Sequence, residues 1–192
     1  MTGLALIRHG HTPWNREGRL QGRTDVSLDV GAIGELAAQR LPARWNDAEL
    51  VASPLKRALQ TAEIVGTKTP ASVPQLIEMD WGHWEGRFGK LLRSDPTSGY
   101  VDIEHWGWDF RPPGGESVAD VRDRVLPWAL DRTCNTVAVC HIGIMRVLLA
   151  CATGWDFKGP APFAIKRNRL YILTVANDRL SWDGIPVRLE KR

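Results

Sequence analysis

The sequence of 192 residues is poor in cysteine: it contains only Cys134, Cys140 and Cys151, and no CxxC pair. An odd number of cysteines without a paired motif excludes a disulfide framework and favours reduced thiols. We therefore expect a cytoplasmic location. Cys140 directly precedes a histidine, so a thiol nucleophile stays open as an alternative, although its apolar neighbours favour a buried position in a strand.

Long hydrophobic runs are also absent. The first apolar run ends at Arg8, and the longest later stretch contains His141 and Arg146. Neither run is long and apolar enough to span a membrane, and the first is too short for a signal peptide. We therefore expect no signal peptide and no membrane partner.

A strong charge of one sign is missing as well. The net charge is +3, and lysine and arginine do not form the clustered stripe that nucleic-acid-binding proteins carry. A mild positive charge suits small anionic partners instead. The length and the 43% hydrophobic residues are typical of one globular domain over residues 1–192. No repeat or linker divides it, and no pattern indicates an oligomeric state.

The sequence does contain short apolar runs that alternate with amphipathic segments. Strands are predicted over residues 3–8, 49–53 and 136–140, and two closing strands over about 164–175 and 179–189, joined by a turn at Asn177-Asp178. Helices are predicted over about 30–41 with Ser27 as N-cap, from Pro54 onward, over about 117–131, and from about residue 142 to near Gly154. Residues 9–27 are predicted to be a long polar loop.

This order of elements predicts the α/β class, with a three-layer α/β/α sandwich around a mostly parallel sheet. The irregular, aromatic stretch at about 87–111 is predicted to be a short, partly helical cap. Ligands of open α/β sheets bind beyond the carboxyl ends of the strands, so that edge is where a site is expected.

Three predicted strands end in residues that suit a phosphate ligand. Arg8 and His9 follow the first strand, Arg57 follows the second, and His141 follows the buried strand at 136–140. An arginine offers a planar fork of donors to a phosphate, and a neutral histidine offers a nitrogen that can attack. Taken singly, Arg57 fits a solvated helix charge and each histidine fits a packing role. Their convergence at one edge indicates a site.

A carboxylate that could move a proton lies in the stretch from Glu78 to Gly86, where acids and tryptophans are interleaved with turn residues. Glu78, Asp80 and Glu85 are the candidates, and a surface turn with solvated acids is an equally good interpretation of this stretch alone. No glycine-rich Walker loop is present, and His9-Gly10-His11 lacks the downstream spacing of a metal site. Neither a metal nor a cofactor is expected.

Several of these stretches resemble the histidine phosphatase superfamily, also called the phosphoglycerate mutase-like family. The similarity covers residues 4 to about 150 and runs in family order through the following segments: Arg8 to Asn15, Gly18 to Gly22, Ser53 to Ala62, Leu76 to Gly86, Gly114 to Ser117, and Cys140 to Arg146. An Arg-His-Gly triplet alone is a weak signal, whereas all of these segments in sequence are specific. The resemblance implies a phosphoglycerate mutase-like sandwich.

The resemblance also implies a role for each matching residue. His9 corresponds to the nucleophile that becomes phosphohistidine, and Glu78 corresponds to the proton donor. The phosphoryl group would be bound by Arg8, Arg57 and a protonated His141. Asn15, Gln21, Gly22 and Ile142 correspond to substrate-binding positions. One departure is Ile142, because the family usually has glycine there, so its side chain is expected either to narrow the pocket or to turn into the core.

Three functions compete at this stage. A phosphatase that acts on a small phosphorylated metabolite is favoured, because the segment between Gly86 and Gly114 is short and would leave the site open to water. A cofactor-dependent phosphoglycerate mutase is the alternative. A non-catalytic phosphate-binding module is disfavoured because every catalytic position is intact, and a metal-dependent hydrolase ranks last.

Overall fold

The structure is a computed structural model that describes residues 1–192. Its strands are β1 (Thr2–Arg8), β2 (Gln39–Arg40), β3 (Glu49–Ala52), β4 (Ala71–Ser72), β5 (Thr136–Cys140), β6 (Arg169–Ala176), β7 (Arg179–Trp182), β8 (Val187–Arg188) and β9 (Glu190–Lys191). Its helices are α1 (Pro13–Glu17), α2 (Val30–Ala37), α3 (Lys56–Val65), α4 (Gly89–Ser94), α5 (Val118–Leu130) and α6 (Ile142–Thr153).

Seven strands form one sheet in the order β4-β3-β5-β1-β6-β7, with β8 also paired to β6. Strands β4, β3, β5 and β1 are parallel to one another, whereas β6 runs antiparallel to its neighbours β1, β7 and β8. Arg8 pairs with Cys140 and Ala52 pairs with Val139. This register brings the residues that follow β1, β3 and β5 to one edge, and it confirms the predicted mostly parallel sheet.

The alternation of side chains along β1 explains the layers. Leu4 and Leu6 pack in one core with residues of α5 and α6, whereas Ala5 and Ile7 pack in a second core with residues of α2 and α3. Successive side chains of a strand point to opposite faces, so a continuous apolar run requires cover on both sides. The three-layer α/β/α sandwich is therefore confirmed.

Local differences from the prediction have physical causes. The loop over residues 9–27 contains α1, which Thr12 caps through a reciprocal capping box with Asn15. The N-cap of α2 is Asp29 rather than Ser27, and this helix ends at Ala37. Arg57 is 0% exposed, so the interpretation as a solvated helix charge is wrong. The closing strand β6 begins at Arg169 instead of residue 164.

Residues 87–111 contain α4 and otherwise turns and loops. The first residues of this segment are hydrogen-bonded to the loop over residues 9–27: Gly89 N–H donates to the Gly18 carbonyl, and Leu20 N–H donates to the Arg87 carbonyl. Aromatic side chains cover this side, with Trp106 and Phe110 stacked at 4.6 Å between ring centroids. None of the helices is both long and apolar enough to cross a membrane.

Candidate active site

His9 lies at the carboxyl end of β1 and is 4% exposed. Its Nδ1 atom lies 2.6 Å from the carbonyl oxygen of Gly10. Because a carbonyl only accepts hydrogen bonds, Nδ1 carries the proton and the lone pair is on Nε2. Burial, followed by the charges of Arg57 and Arg8, lowers the pKa of His9 well below its ordinary value. The ring is therefore neutral, with Nε2 free to attack.

Arg57 stands in the first turn of α3, and backbone carbonyls rather than carboxylates position its side chain. Its Nη2 donates to the Gly22 carbonyl at 2.6 Å and its Nη1 to the Thr24 carbonyl at 2.9 Å. Its Nε donates to His141 Nδ1 at 3.3 Å. Burial lowers the pKa of Arg57, but an arginine keeps its proton. A fixed positive charge therefore lies at the sheet edge.

His141 is the N-cap residue of α6 and is 0% exposed. Because its Nδ1 accepts from Arg57, its Nε2 carries the proton and donates to Ser53 Oγ at 2.7 Å. Burial and then Arg57 lower the pKa of His141 well below its ordinary value. These contacts describe a neutral ring, in contrast to the protonated His141 expected from the resemblance. The centroids of the His9 and His141 rings are 5.1 Å apart.

Arg8 supplies a second cation. Its Nε is buried and makes no hydrogen bond. Burial, followed by the charges of Arg167 and Arg146, lowers the pKa of Arg8 to about 9. A buried donor without a partner is rare in proteins and is often explained by a ligand that supplies the acceptor. Arg8 therefore marks a place where an anion can bind.

The three candidate carboxylates have different surroundings. Glu78 is 5% exposed, and its two oxygens accept from Met79 N–H at 2.9 Å and Gly143 N–H at 3.2 Å. Glu85 accepts from the N–H groups of Arg23 and Thr24, and Asp80 accepts from the N–H of Gly82 in the turn that follows it. Of the three, only Glu78 lines the cleft.

The cleft has a volume of about 320 Å³ and collects eight of the nine residues expected at the site: Arg8, His9, Asn15, Gln21, Gly22, Arg57, Glu78 and Ile142. The ninth, His141, does not line the cleft but contacts Arg57, which does. The outer rim is formed by residues of the 87–111 segment, among them Tyr100 and Trp106.

Hydrogen bonds to the side-chain amide oxygens of Asn15 and Gln21 orient these two loop residues. Asn15 Oδ1 accepts from Thr12 N–H at 3.1 Å and from Arg167 Nη2 at 2.9 Å, which leaves the amide NH₂ of Asn15 free to donate. Gln21 Oε1 accepts from Thr12 Oγ1 at 2.9 Å, which likewise leaves its NH₂ free. Both side chains can therefore donate to an anion in the cleft.

Ile142 is the first residue of α6, so its N–H has no acceptor within the helix. Its side chain is half-buried and lines the cleft. This N–H is available to a ligand in the cleft, and the isoleucine side chain adds an apolar wall.

Sequence reasoning missed Arg146 and Arg167. Arg146 lines the cleft without a hydrogen bond or ion pair, and its spacing of four residues from Ile142 on one helix face could have identified it. Arg167 donates from Nε to the His9 carbonyl at 3.1 Å and also contacts Asn15. Arg167 lies in an irregular segment, where no periodic pattern points to it.

The fold is an α/β sandwich, and its cleft lies at the carboxyl edge of the parallel strands, where it contains a histidine and several arginines. This combination is typical of the phosphoglycerate mutase-like fold. The chain matches the histidine phosphatase superfamily (branch 1) over residues 4–186, and it belongs to this family.

Relatives in this family carry both phosphatase and mutase names. An acid phosphatase of Mycobacterium tuberculosis is 37% identical over 124 residues, which are 63% of this chain and 58% of that protein. A glucosyl-3-phosphoglycerate phosphatase of Mycolicibacterium vanbaalenii is 34% identical over 169 residues, 79% of this chain and 74% of that one. A probable phosphoglycerate mutase of Salmonella paratyphi C is 33% identical over 65% of this chain and 60% of its own. The chain thus covers less than two thirds of some of these relatives.

Solved structures support the fold. A phosphoglycerate mutase from Thermus thermophilus superposes with a TM-score of 0.74 at 29% identity and covers 100% of both chains. A mycobacterial glucosyl-3-phosphoglycerate phosphatase in complex with VO₃ has a TM-score of 0.78 at 23% identity, covers 100% of this chain and 98% of that one, and shares the fold.

The glycine at position 22 is predicted to be essential for the loop. An added Cβ would lie 1.9 Å from Glu85 Oε1 at a φ of +53°, whereas at Gly18, with a φ of +76°, it would meet nothing within 4 Å. Both alanines carry left-handed strain of about 1–2 kcal/mol, but only Gly22→Ala displaces the Glu85 carboxylate. Urea titration should give a clearly larger loss of unfolding free energy for Gly22→Ala than for Gly18→Ala. Equal losses would contradict this account.

Acid should destabilise the protein between pH 6.5 and 5.5. His9 and His141 have lowered pKa values in the folded state because of burial, so below the ordinary pKa of about 6.5 the unfolded chain binds more protons. The unfolding free energy should fall by up to about 1.4 kcal/mol per pH unit for each histidine. Urea titrations of the His9→Gln and His141→Gln variants over this pH range should each give a smaller slope than those of the unmodified protein, and an unchanged slope in both would contradict this account.

Proposed function

We propose that the protein is a phosphatase that hydrolyses small phosphomonoesters through a phosphohistidine on His9. The observation that carries the proposal is the hydrogen bond from His9 Nδ1 to the Gly10 carbonyl at 2.6 Å, which leaves the Nε2 lone pair available in a cationic cleft. A neutral histidine at this place is a nucleophile, and covalent catalysis divides a difficult displacement into two easier steps.

In the first step, Nε2 of His9 attacks phosphorus and the bond from phosphorus to the ester oxygen breaks. Glu78, in its protonated form, donates its proton to the departing oxygen, so that the alcohol leaves neutral. Glu78 suits this role because, of the three candidate carboxylates, it alone lines the cleft, whereas Asp80 and Glu85 do not. A positioned acid contributes typically about 10²–10⁴-fold to the rate.

In the second step, the Glu78 carboxylate takes a proton from water, and the oxygen of this water attacks phosphorus. The bond between phosphorus and Nε2 breaks, its electron pair returns to His9, and inorganic phosphate leaves. Glu78 is thereby protonated again and ready for the next ester. The Nδ1 hydrogen bond to Gly10 keeps the same tautomer of His9 through both steps.

Charge on the transferring phosphoryl group is spread over its three equatorial oxygens in the transition state. The unpaired Arg8 and the buried Arg57 are the donors that we assign to these oxygens, and His141 accepts from Arg57 Nε and so orients that guanidinium. The free amides of Asn15 and Gln21, the Gly22 turn and the N–H of Ile142 are assigned to substrate binding. Donors that are already fixed require little reorganisation during the reaction.

This chemistry needs no metal or cofactor, because arginines supply the positive charge that a cation would otherwise provide. No group of three or more histidine, cysteine, aspartate or glutamate side chains that could bind a metal ion occurs in the structure. The free thiols of Cys134, Cys140 and Cys151 are compatible with a cytoplasmic location. Cys140 is unsuited as a nucleophile, since complete burial keeps its thiol protonated.

A mutase is the second candidate, and it is favoured by the mutase names among the relatives. A mutase must protect phosphohistidine from water. In this chain the 87–111 segment contributes one helix of six residues, and its cleft residues Arg93 and Asp102 are exposed. Water therefore has access to His9, which favours hydrolysis over retention of the phosphoryl group.

Incubation with a labelled phosphomonoester should give a protein-bound phosphate that is acid-labile and alkali-stable, because the phosphorus is bonded to nitrogen. His9→Ala should abolish both the label and turnover, since no other histidine and no cysteine lines the cleft. The Cys140→Ala variant serves as the control and should retain the label. EDTA should leave the reaction unchanged. A label that mapped to Cys140, or activity that required added zinc or manganese, would overturn the mechanism.

Glu78→Gln should slow phosphorylation of His9 by about 10²-fold or more with an alkyl phosphate and only mildly with p-nitrophenyl phosphate, whose leaving group needs no proton. Hydrolysis of phosphohistidine should slow with both esters, so p-nitrophenyl phosphate should give a burst followed by slow turnover. Rapid-quench measurements separate the two steps. Asp80→Asn is the matched control, and a leaving-group dependence found in Asp80→Asn instead would reassign the acid.

Isomerisation of 3-phosphoglycerate in the presence of 2,3-bisphosphoglycerate should be slower than hydrolysis of the best phosphomonoester. The reason is the water access to His9 described above. Both rates can be measured on one preparation by phosphorus NMR. Isomerisation that outpaces all hydrolysis by orders of magnitude would make the mutase the better assignment.

A further inference from the structure

We propose that the preferred substrates are phosphomonoesters whose alcohol carries a compact apolar group, such as an aromatic ring or a branched alkyl chain. The group would bind in a second cavity that adjoins the phosphate cleft. This inference rests on the proposed phosphatase function and narrows it to one substrate class.

The second cavity has a volume of about 230 Å³, and seven of its eight lining residues are hydrophobic. It shares Ile103, Ile142 and Arg146 with the phosphate cleft. These three side chains therefore form the junction between the two spaces. A substrate bound through its phosphoryl group among the arginines can extend over Ile142 into the apolar cavity.

Two polar groups in the cavity wall are already paired elsewhere. Trp155 Nε1 donates to the carbonyls of Lys158 and Gly159 at 3.3 and 3.2 Å. The carbonyl of Ala164 accepts from the hydroxyl of Tyr171 at 2.8 Å. The cavity has no acidic side chain, and Arg146 at the junction is its one charged residue. Sugar hydroxyls placed beyond the reach of Arg146 would lose their hydrogen bonds to water, and the apolar side chains offer no replacement, which is costly.

Aromatic packing and backbone bonds hold the cavity walls in place. Trp155 contacts Phe163 edge to face at 5.5 Å between centroids, and Phe157 packs behind Trp155 at 4.4 Å. Gly107 N–H donates to the Phe157 carbonyl and Gly159 N–H to the Glu104 carbonyl, which joins the 87–111 segment to this wall. A preformed apolar pocket binds with little ordering cost.

The size of the cavity limits the group that fits. An apolar cavity of about 150 Å³ lined by leucine, isoleucine and phenylalanine accepts benzene. The space of about 230 Å³ therefore accommodates one ring or a short branched chain. A larger side chain at position 161, where Ala161 lines the cavity, would fill this space.

Three esters with primary alcohols test the inference: ethyl phosphate, 2-phenylethyl phosphate and glucose 6-phosphate. The value of kcat/KM for 2-phenylethyl phosphate should exceed that for ethyl phosphate by about 10-fold or more, mainly through KM, because a ring is removed from water. Glucose 6-phosphate should show no such advantage. Ile165→Asp, which places a charge in the cavity, and Ala161→Phe, which fills it, should each lower the ratio of the first two values about 10-fold.

Ile185→Asp is the matched control, because Ile185 is 67% exposed and lies away from both cavities; it should leave the ratio and the activity unchanged. Calorimetry with ethylphosphonate and 2-phenylethylphosphonate, which cannot be hydrolysed, measures binding separately. Hydrolysis of all three esters with equal efficiency, or equal losses on every ester in Ile165→Asp and Ala161→Phe, would overturn the inference and leave the phosphatase assignment intact. An apolar preference in binding without any hydrolysis would overturn the proposed function instead.

Discussion

The burial of the Arg57 guanidinium is the constraint on which the rest of the site depends. A buried charge must be solvated by the protein, and here two backbone carbonyls of the 22–24 loop and the His141 ring accept its hydrogen bonds. The loop must therefore adopt the turn at Gly22, whose φ of +53° and contact with Glu85 exclude a side chain. The same guanidinium determines the tautomer of His141, and its charge is, after burial, the second cause that lowers the pKa values of both histidines. One cation thus holds the loop conformation and contributes to the neutral state of His9.

The site therefore carries more positive charge than its own carboxylates neutralise. None of Arg8, Arg57, Arg146 and Arg167 forms an ion pair, whereas several more exposed arginines pair with aspartate or glutamate, namely Arg16, Arg23, Arg93 and Arg111. Uncompensated buried charge destabilises the folded protein. A phosphoryl dianion bound as we propose would supply the missing negative charge, and part of this free energy would then be recovered on binding. This arrangement favours anions over neutral ligands before any specific contact forms.

Much of the fold and site could be predicted from the sequence, and the exceptions have a common cause. The buried strands over residues 3–8 and 136–140 can be predicted because a continuous apolar run is visible in the local sequence. Arg8, His9 and His141 can be predicted as site residues because they lie at the ends of these strands. The burial of Arg57 could not be predicted, because its partners are carbonyls from a loop more than thirty residues away. Arg167 was missed for the same reason: its role comes from contacts with His9 and Asn15 more than 150 residues distant. Local patterns report secondary structure, whereas these contacts exist only in the folded chain.

Backbone N–H groups hold the Glu78 carboxylate in an orientation that would allow it both to donate and to accept a proton. One oxygen accepts the Met79 N–H and the other accepts the Gly143 N–H in the first turn of α6. A carboxylate oxygen has two lone-pair directions, so each oxygen retains one for a proton, and the group can act as acid and then as base without turning. A Cβ at position 143 would lie 2.3 Å from Glu78 Oε1, so only glycine allows this approach. The glycine two residues after His141 therefore allows the position of the Glu78 carboxylate, and Ile142 between them forms part of the apolar side of the site.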